Sequence, residues 1–144
     1  MTSGTGKRGG FTFVELLLVI LFIGALAAIS IPRFKKTVSG LQLDNFVKDI
    51  YYLSRYLQGA SGAQGKIYCL NISPDGFQAV EGAYKKKYNL PPGVSMSIEP
   101  QPISELYFYP DSSMDKTANI SFSDPYDKKI TLVFKGATGG IGIK

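Results

Sequence analysis

The run 16–32, which opens at Leu16 and closes at Pro32, has no charged side chain, and Glu15 stands immediately before it. A stretch this apolar must leave water, either in a bilayer or against other apolar helices. With Phe11, Thr12, Phe13 and Val14 added, it is long enough to cross a hydrocarbon core about 30 Å thick. Glu15 is then out of place, because a carboxylate at the centre of a membrane helix costs about 2.5–3.5 kcal/mol on insertion scales. No ordinary helix needs that arrangement. We therefore treat Glu15 as a candidate functional residue that requires a partner.

The residues in front are small, polar and basic, with Lys7 and Arg8 followed by Gly9 and Gly10. The positive-inside rule places this leader on the cytoplasmic side, so the remainder crosses. In a secretory signal peptide the apolar region precedes the cleavage site. Here it follows the Gly-Gly pair, so a cut after Gly10 would leave the apolar segment on the mature chain. The plainer alternative is an uncleaved signal anchor.

Beyond Pro32 the pattern becomes amphipathic. Arg33, Lys35 and Lys36 come first, and Leu43, Phe46, Val47, Ile50, Leu53 and Leu57 then recur at spacings of three and four. Those residues share one face of a helix. Pro32 should kink or loosen the helix without ending it, and Gly59, Gly62 and Gly65 should stop it. An unbroken helix over 11–58 would measure about 72 Å, far more than one membrane, so its outer half must lie against a soluble domain. Tyr51, Tyr52 and Tyr56 read as core and rim residues of that packing, with conduction or ligand stacking as the sharper alternative.

After Gly65 the period shortens to that of strands. Residues 66–72, 77–81, 94–98, 105–109, 119–123, 130–135 and 141–143 read as strands, six or seven in all. Ser73-Pro74-Asp75-Gly76 and Asp124-Pro125-Tyr126-Asp127 read as turns. The fold class is α+β: one long N-terminal helix packed on an antiparallel β domain. The expected organisation is a leader at 1–10, a membrane and assembly half of the helix at 11–32, an amphipathic half at 33–60 and a β domain at 61–144.

Composition removes several kinds of chemistry. The 144 residues fit one domain plus an anchoring segment, and 44% hydrophobic with 19% charged describes neither a disordered nor a polytopic chain. The chain has no histidine, which excludes imidazole-based triads and histidine metal sites. Cys69 is the single cysteine, so no internal disulfide forms, and it reads as a small buried residue. The net charge of +5 falls to +3 without Lys7 and Arg8, too mild to declare a nucleic-acid partner. Lys85-Lys86-Lys87 reads as a solvated loop, with phosphate contact as its alternative. Asp111, Asp115, Asp124 and Asp127 read as turn formers, with loop-bound calcium as theirs. Ser112 and Ser113 lack a histidine base. No cofactor, metal site or enzymatic activity is expected.

Gly10-Phe11-Thr12-Phe13-Val14-Glu15-Leu16-Leu17-Leu18-Val19-Ile20 closely resembles the class III signal of type IV pilins and type II secretion pseudopilins. The continuation through Gly24, Ala25, Leu26, Ala27, Ala28 and Pro32 is similar to the segment that follows it in that family. The resemblance implies that a prepilin peptidase cuts between Gly10 and Phe11 and N-methylates Phe11. It implies other pilin-like subunits as partners through the N-terminal helix, together with an inner-membrane assembly platform. The chain would sit in the inner membrane by a single pass, N-terminus cytoplasmic and β domain periplasmic, before entering a filament. There Glu15 of one subunit could lie beside the new amine of the next. Removing one partner of such a buried pair strands a charge at about 3–5 kcal/mol.

A narrower resemblance lies further along. Leu90-Pro91-Pro92-Gly93-Val94, then Phe108-Tyr109-Pro110-Asp111-Ser112-Ser113, then Thr138-Gly139-Gly140-Ile141-Gly142-Ile143 are similar to the H-type minor pseudopilins and the FimT-like minor pilins. Ser112 stands where glycine is common. The function implied is that of a minor pseudopilin in a type II secretion pseudopilus. The alternative is a FimT-like minor pilin of a type IV pilus that contacts DNA through Lys128, Lys129, Lys135 and Lys144.

Overall fold

The computed structural model describes residues 11–81, 84–100 and 102–144, without the side chains of 29–32, 81 and 84. One helix and eight strands are present among them. α1 (Phe13–Gln64) comes first, followed by β1 (Tyr68–Ser73), β2 (Gly76–Glu81), β3 (Tyr84–Asn89), β4 (Ser95–Glu99), β5 (Glu105–Phe108), β6 (Ala118–Ser123), β7 (Lys129–Lys135) and β8 (Gly140–Ile143). The chain divides into two compact units, Met1–Thr37 and Val38–Lys144.

The first unit carries the apolar half of α1. Each of residues 11–28 is exposed, large apolar side chains included, and this is the one described helix long and apolar enough to cross a membrane.

The second unit holds the core. The face foreseen from the spacing is the face that packs: Leu43, Phe46, Val47, Ile50 and Leu57 are buried, and Leu53 is partly so. Tyr51 is half-buried while Tyr52 and Tyr56 are exposed, which makes them rim residues. The strands form two antiparallel sheets, ordered β3-β2-β1-β5 and β4-β6-β7-β8. Alternation sends Leu70, Ile72, Phe77, Leu106 and Phe108 inward from the first sheet, and Ile120, Phe122, Leu132 and Phe134 inward from the second. Phe46 of the helix stands edge-on to Phe122 at 5.7 Å and 6.1 Å from Phe77, whose ring is 6.0 Å from Phe122. One aromatic triangle thus joins the helix to both sheets.

Three expectations are corrected. The helix runs on through Gly59 and Gly62 to Gln64. Tertiary contact overrides their weak propensity: the buried Ser61 hydroxyl donates to the Lys66 carbonyl (2.6 Å) and the Phe108 carbonyl (3.0 Å), and a Cβ on Gly62 would sit 3.4 Å from the Pro110 oxygen. Lys85-Lys86-Lys87 lies within β3, because pairing with β2 supplies its backbone bonds and its lysines stand at a sheet edge. Cys69 is half-buried, since alternation with Tyr68 and Leu70 turns it to the outer face of β1, opposite Tyr107. The Ser73–Gly76 turn forms as read, with φ of 138° at Gly76 and a Tyr88 oxygen 2.0 Å from where a Cβ would stand.

Candidate functional site

The N-terminal segment is the strongest candidate. Gly10 lies outside the described residues, and Phe11 is the first residue within them, 89% exposed. α1 begins two residues later, and its start has a local cause. The Thr12 hydroxyl accepts from the Glu15 amide (3.3 Å), while Glu15 Oε2 accepts from the Thr12 amide (2.8 Å) and the Thr12 hydroxyl (3.0 Å). This reciprocal pair is a capping box, Thr-x-x-Glu, and it satisfies donors that a helix start otherwise leaves bare. Within a single subunit Glu15 therefore has a partner after all, in Thr12. The signature is present in the sequence as Thr12-Phe13-Val14-Glu15. α1 runs through position 32, so Pro32 falls inside the helix.

The four lysines suggested for DNA contact separate into two groups. Lys128 Nζ reaches Asp44 Oδ2 at 2.6 Å and the Gly40 carbonyl at 3.2 Å, so it ties the β6–β7 turn to α1. Lys129 and Lys135 stand at opposite ends of β7 on one face, and Lys144 exchanges backbone bonds with Thr131 on that same face. This outer face also carries hydroxyls: Ser95 and Ser123 meet at 3.2 Å, Ser121 and Thr131 at 2.9 Å.

Asp111 and Asp124 each hold their own turn, whereas Asp115 bonds across to β5. Asp111 Oδ1 accepts from the Ser113 hydroxyl (2.6 Å) and amide (2.9 Å), which hold its carboxyl below the ordinary range. Asp124 Oδ1 accepts from the amides of Tyr126 and Lys128, and Asp115 Oδ1 from that of Tyr107. Among the described residues, no three acidic or cysteine side chains gather as metal ligands. On the outer face of the first sheet the Tyr107 hydroxyl donates to Glu105 Oε2 at 2.7 Å, which pushes it up to about 12. Burial raises the Cys69 thiol, leaving it largely protonated near neutral pH.

Sequence reasoning missed Gln58, which is buried. Its Nε2 donates to the carbonyls of Ser112 and Gly139, both at 2.7 Å. Two of the short distal motifs are thus brought together beside the end of α1. Gly139 has φ of 63°, and a Cβ there would stand 2.0 Å from the Ser112 oxygen. Ser112 itself has φ of 67°, a torsion glycine adopts more easily.

No family model and no curated protein matches the sequence. Among solved structures, the minor pseudopilin EpsH from the Type 2 Secretion System of Vibrio cholerae matches with a TM-score of 0.52 at 12% identity. The match covers 67% of this chain and 91% of that one. The fold is pilin-like. In this chain that fold is the second half of α1 packed on two antiparallel sheets.

Proposed function

We propose that this chain is a minor pseudopilin of a type II secretion pseudopilus, held in the inner membrane and assembled by helix bundling. One observation carries the reading: an apolar helical segment, exposed throughout 11–28, precedes a folded β unit of pilin-like architecture. Such a segment requires lipid or other apolar helices around it, and a filament bundle supplies the second. Burial in the two settings is similar, so transfer between them is nearly balanced and small terms decide it.

Glu15 supplies one of those terms. A prepilin peptidase would cut between Gly10 and Phe11, methylate Phe11 and expose a cationic amine. In the bundle that amine sits beside Glu15 of a neighbouring subunit, and the pair sets register more than it adds strength. The capping box already points the carboxylate toward the start of the helix, where such an amine would stand. The assembly platform draws the subunit out, and the β unit meets its partners in the periplasm.

Mass spectrometry of the exported protein tests processing. A chain beginning at N-methylated Phe11 is expected, and one intact from Met1 or trimmed elsewhere defeats the reading. A deletion strain tests the machine. Exoproteins stranded in the periplasm are expected, whereas lost surface fibres with normal secretion assign the chain to a pilus instead.

A further inference from the structure

Four strands stand at sheet edges: β3 and β5 in the first sheet, β4 and β8 in the second. Unpaired edges invite other strands, and proteins blunt them with charge, proline or a covering segment. β3 carries Lys85, Lys86 and Lys87. β5 is covered by the Phe108–Met114 bridge and by bonds between Tyr107 and Asp115 in both directions. β4 ends in Glu99, with Pro100 next. β8 reads Gly-Ile-Gly-Ile, with no charge or proline within the strand, no segment bridged to its outer edge among the described residues, and Lys144 directly after it.

The backbone of β8 is ready to pair. Lys144 and Thr131 exchange both bonds, at 2.9 and 2.8 Å, and the register continues through Gly142 with Val133 and Gly140 with Lys135. In an antiparallel ladder the alternate residues point their N–H and C=O groups the other way. Those of Ile141 and Ile143 therefore face the open edge. Ile143 is 43% exposed, so an added strand would cover apolar surface as well.

The outer face of β8 has no side chains at Gly140 and Gly142, which lets another backbone approach. A Cβ on Gly142 would meet nothing within 4 Å, while at Gly140 the stem of Lys135 fills the space, its Cδ 3.3 Å from that point. Lys135 thus lies across β8 toward the edge, and Lys144 stands four positions along. Neither lysine has an ion-pair partner among the described residues. Val133, Lys135, Gly140, Gly142 and Lys144 line a shallow trough between the two cations.

We propose that the free edge of β8 receives an extended segment of another protein, one carrying two carboxylates four positions apart on the face beside Lys135 and Lys144. Main-chain bonds to Ile141 and Ile143 would hold the strand, and the two lysines would select its acidic pattern. This goes beyond the filament reading and stands on the β strands alone, so it holds whichever filament the chain enters.

The probe is a fluorescein-labelled heptapeptide, Thr-Asp-Val-Thr-Val-Asp-Thr, titrated by anisotropy into the full chain in detergent micelles. Saturable binding is expected. It should weaken about fivefold or more when both aspartates become asparagine, or in the Lys135→Gln, Lys144→Gln double variant, whose circular dichroism should match the parent. N-methylation of alternate peptide residues should abolish binding in one phase and spare it in the other, because only one edge of the added strand is paired. Absence of saturable binding, equal affinity for the asparagine peptide or indifference to the methylation phase would overturn the proposal. So would a single-stranded DNA oligonucleotide that binds where the peptide does not, or self-association of the chain through this edge.

Discussion

Glu15 caps its own helix, and the proposed filament would add a second role, a charge offered to a neighbour. Glutamine serves a capping box as well as glutamate does but carries no charge. Glu15→Gln should therefore keep the helix start and still fail to enter filaments, as Glu15→Ala should. Fractionation of sheared filaments checks this, and normal incorporation of the glutamine variant would reduce Glu15 to a cap. Thr12→Ala should weaken the helix start by about 1 kcal/mol and leave incorporation largely intact. At Asp111 the bonds from Ser113 hold the folded carboxyl below its ordinary value. A depressed folded value contributes stability that is present above the unfolded pKa and lost as pH falls through the folded one. Asp111→Asn should therefore melt below the parent above about pH 5, and the gap should narrow as pH falls below about 4 and close only below the lowered folded value. Melting curves across that range decide it.

Among the elements, the end of α1 depends on Gln58. Replacing it with leucine leaves the Ser112 and Gly139 carbonyls without their donor, at a cost of about 2–4 kcal/mol. Gln58→Glu should cost more at neutral pH, since a carboxylate facing two carbonyls has nothing to give. Thermal unfolding ranks the two. The same locality explains what could be read in advance. Strand positions were legible because their period of two is local, and the helix face because its spacing is local. β3 was not, since its lysines describe a solvated run until β2 pairs with it. The overrun of α1 was not either, because Gly59 and Gly62 weaken a helix in isolation and only the tertiary bonds of Ser61 and Gln58 hold its last turns.

For the molecule as a whole, Phe46 is the shared contact of helix and both sheets. Phe46→Ala should cost about 3–5 kcal/mol and loosen both sheets in a single transition, seen as one coincident loss of far-UV and tyrosine signals in urea. Two transitions would mean that the sheets do not share a core. The sequence by itself determined the apolar helical segment, the α+β class and the inward face of 43–57. Those follow from periodicity and charge, which neighbouring residues carry between them. Only the tertiary structure decided the two-sheet order, the meeting of the distal turns at Gln58, the loss of Lys128 to Asp44 and the bare edge of β8. These depend on which strands pair across long stretches of chain, and no local pattern contains that choice.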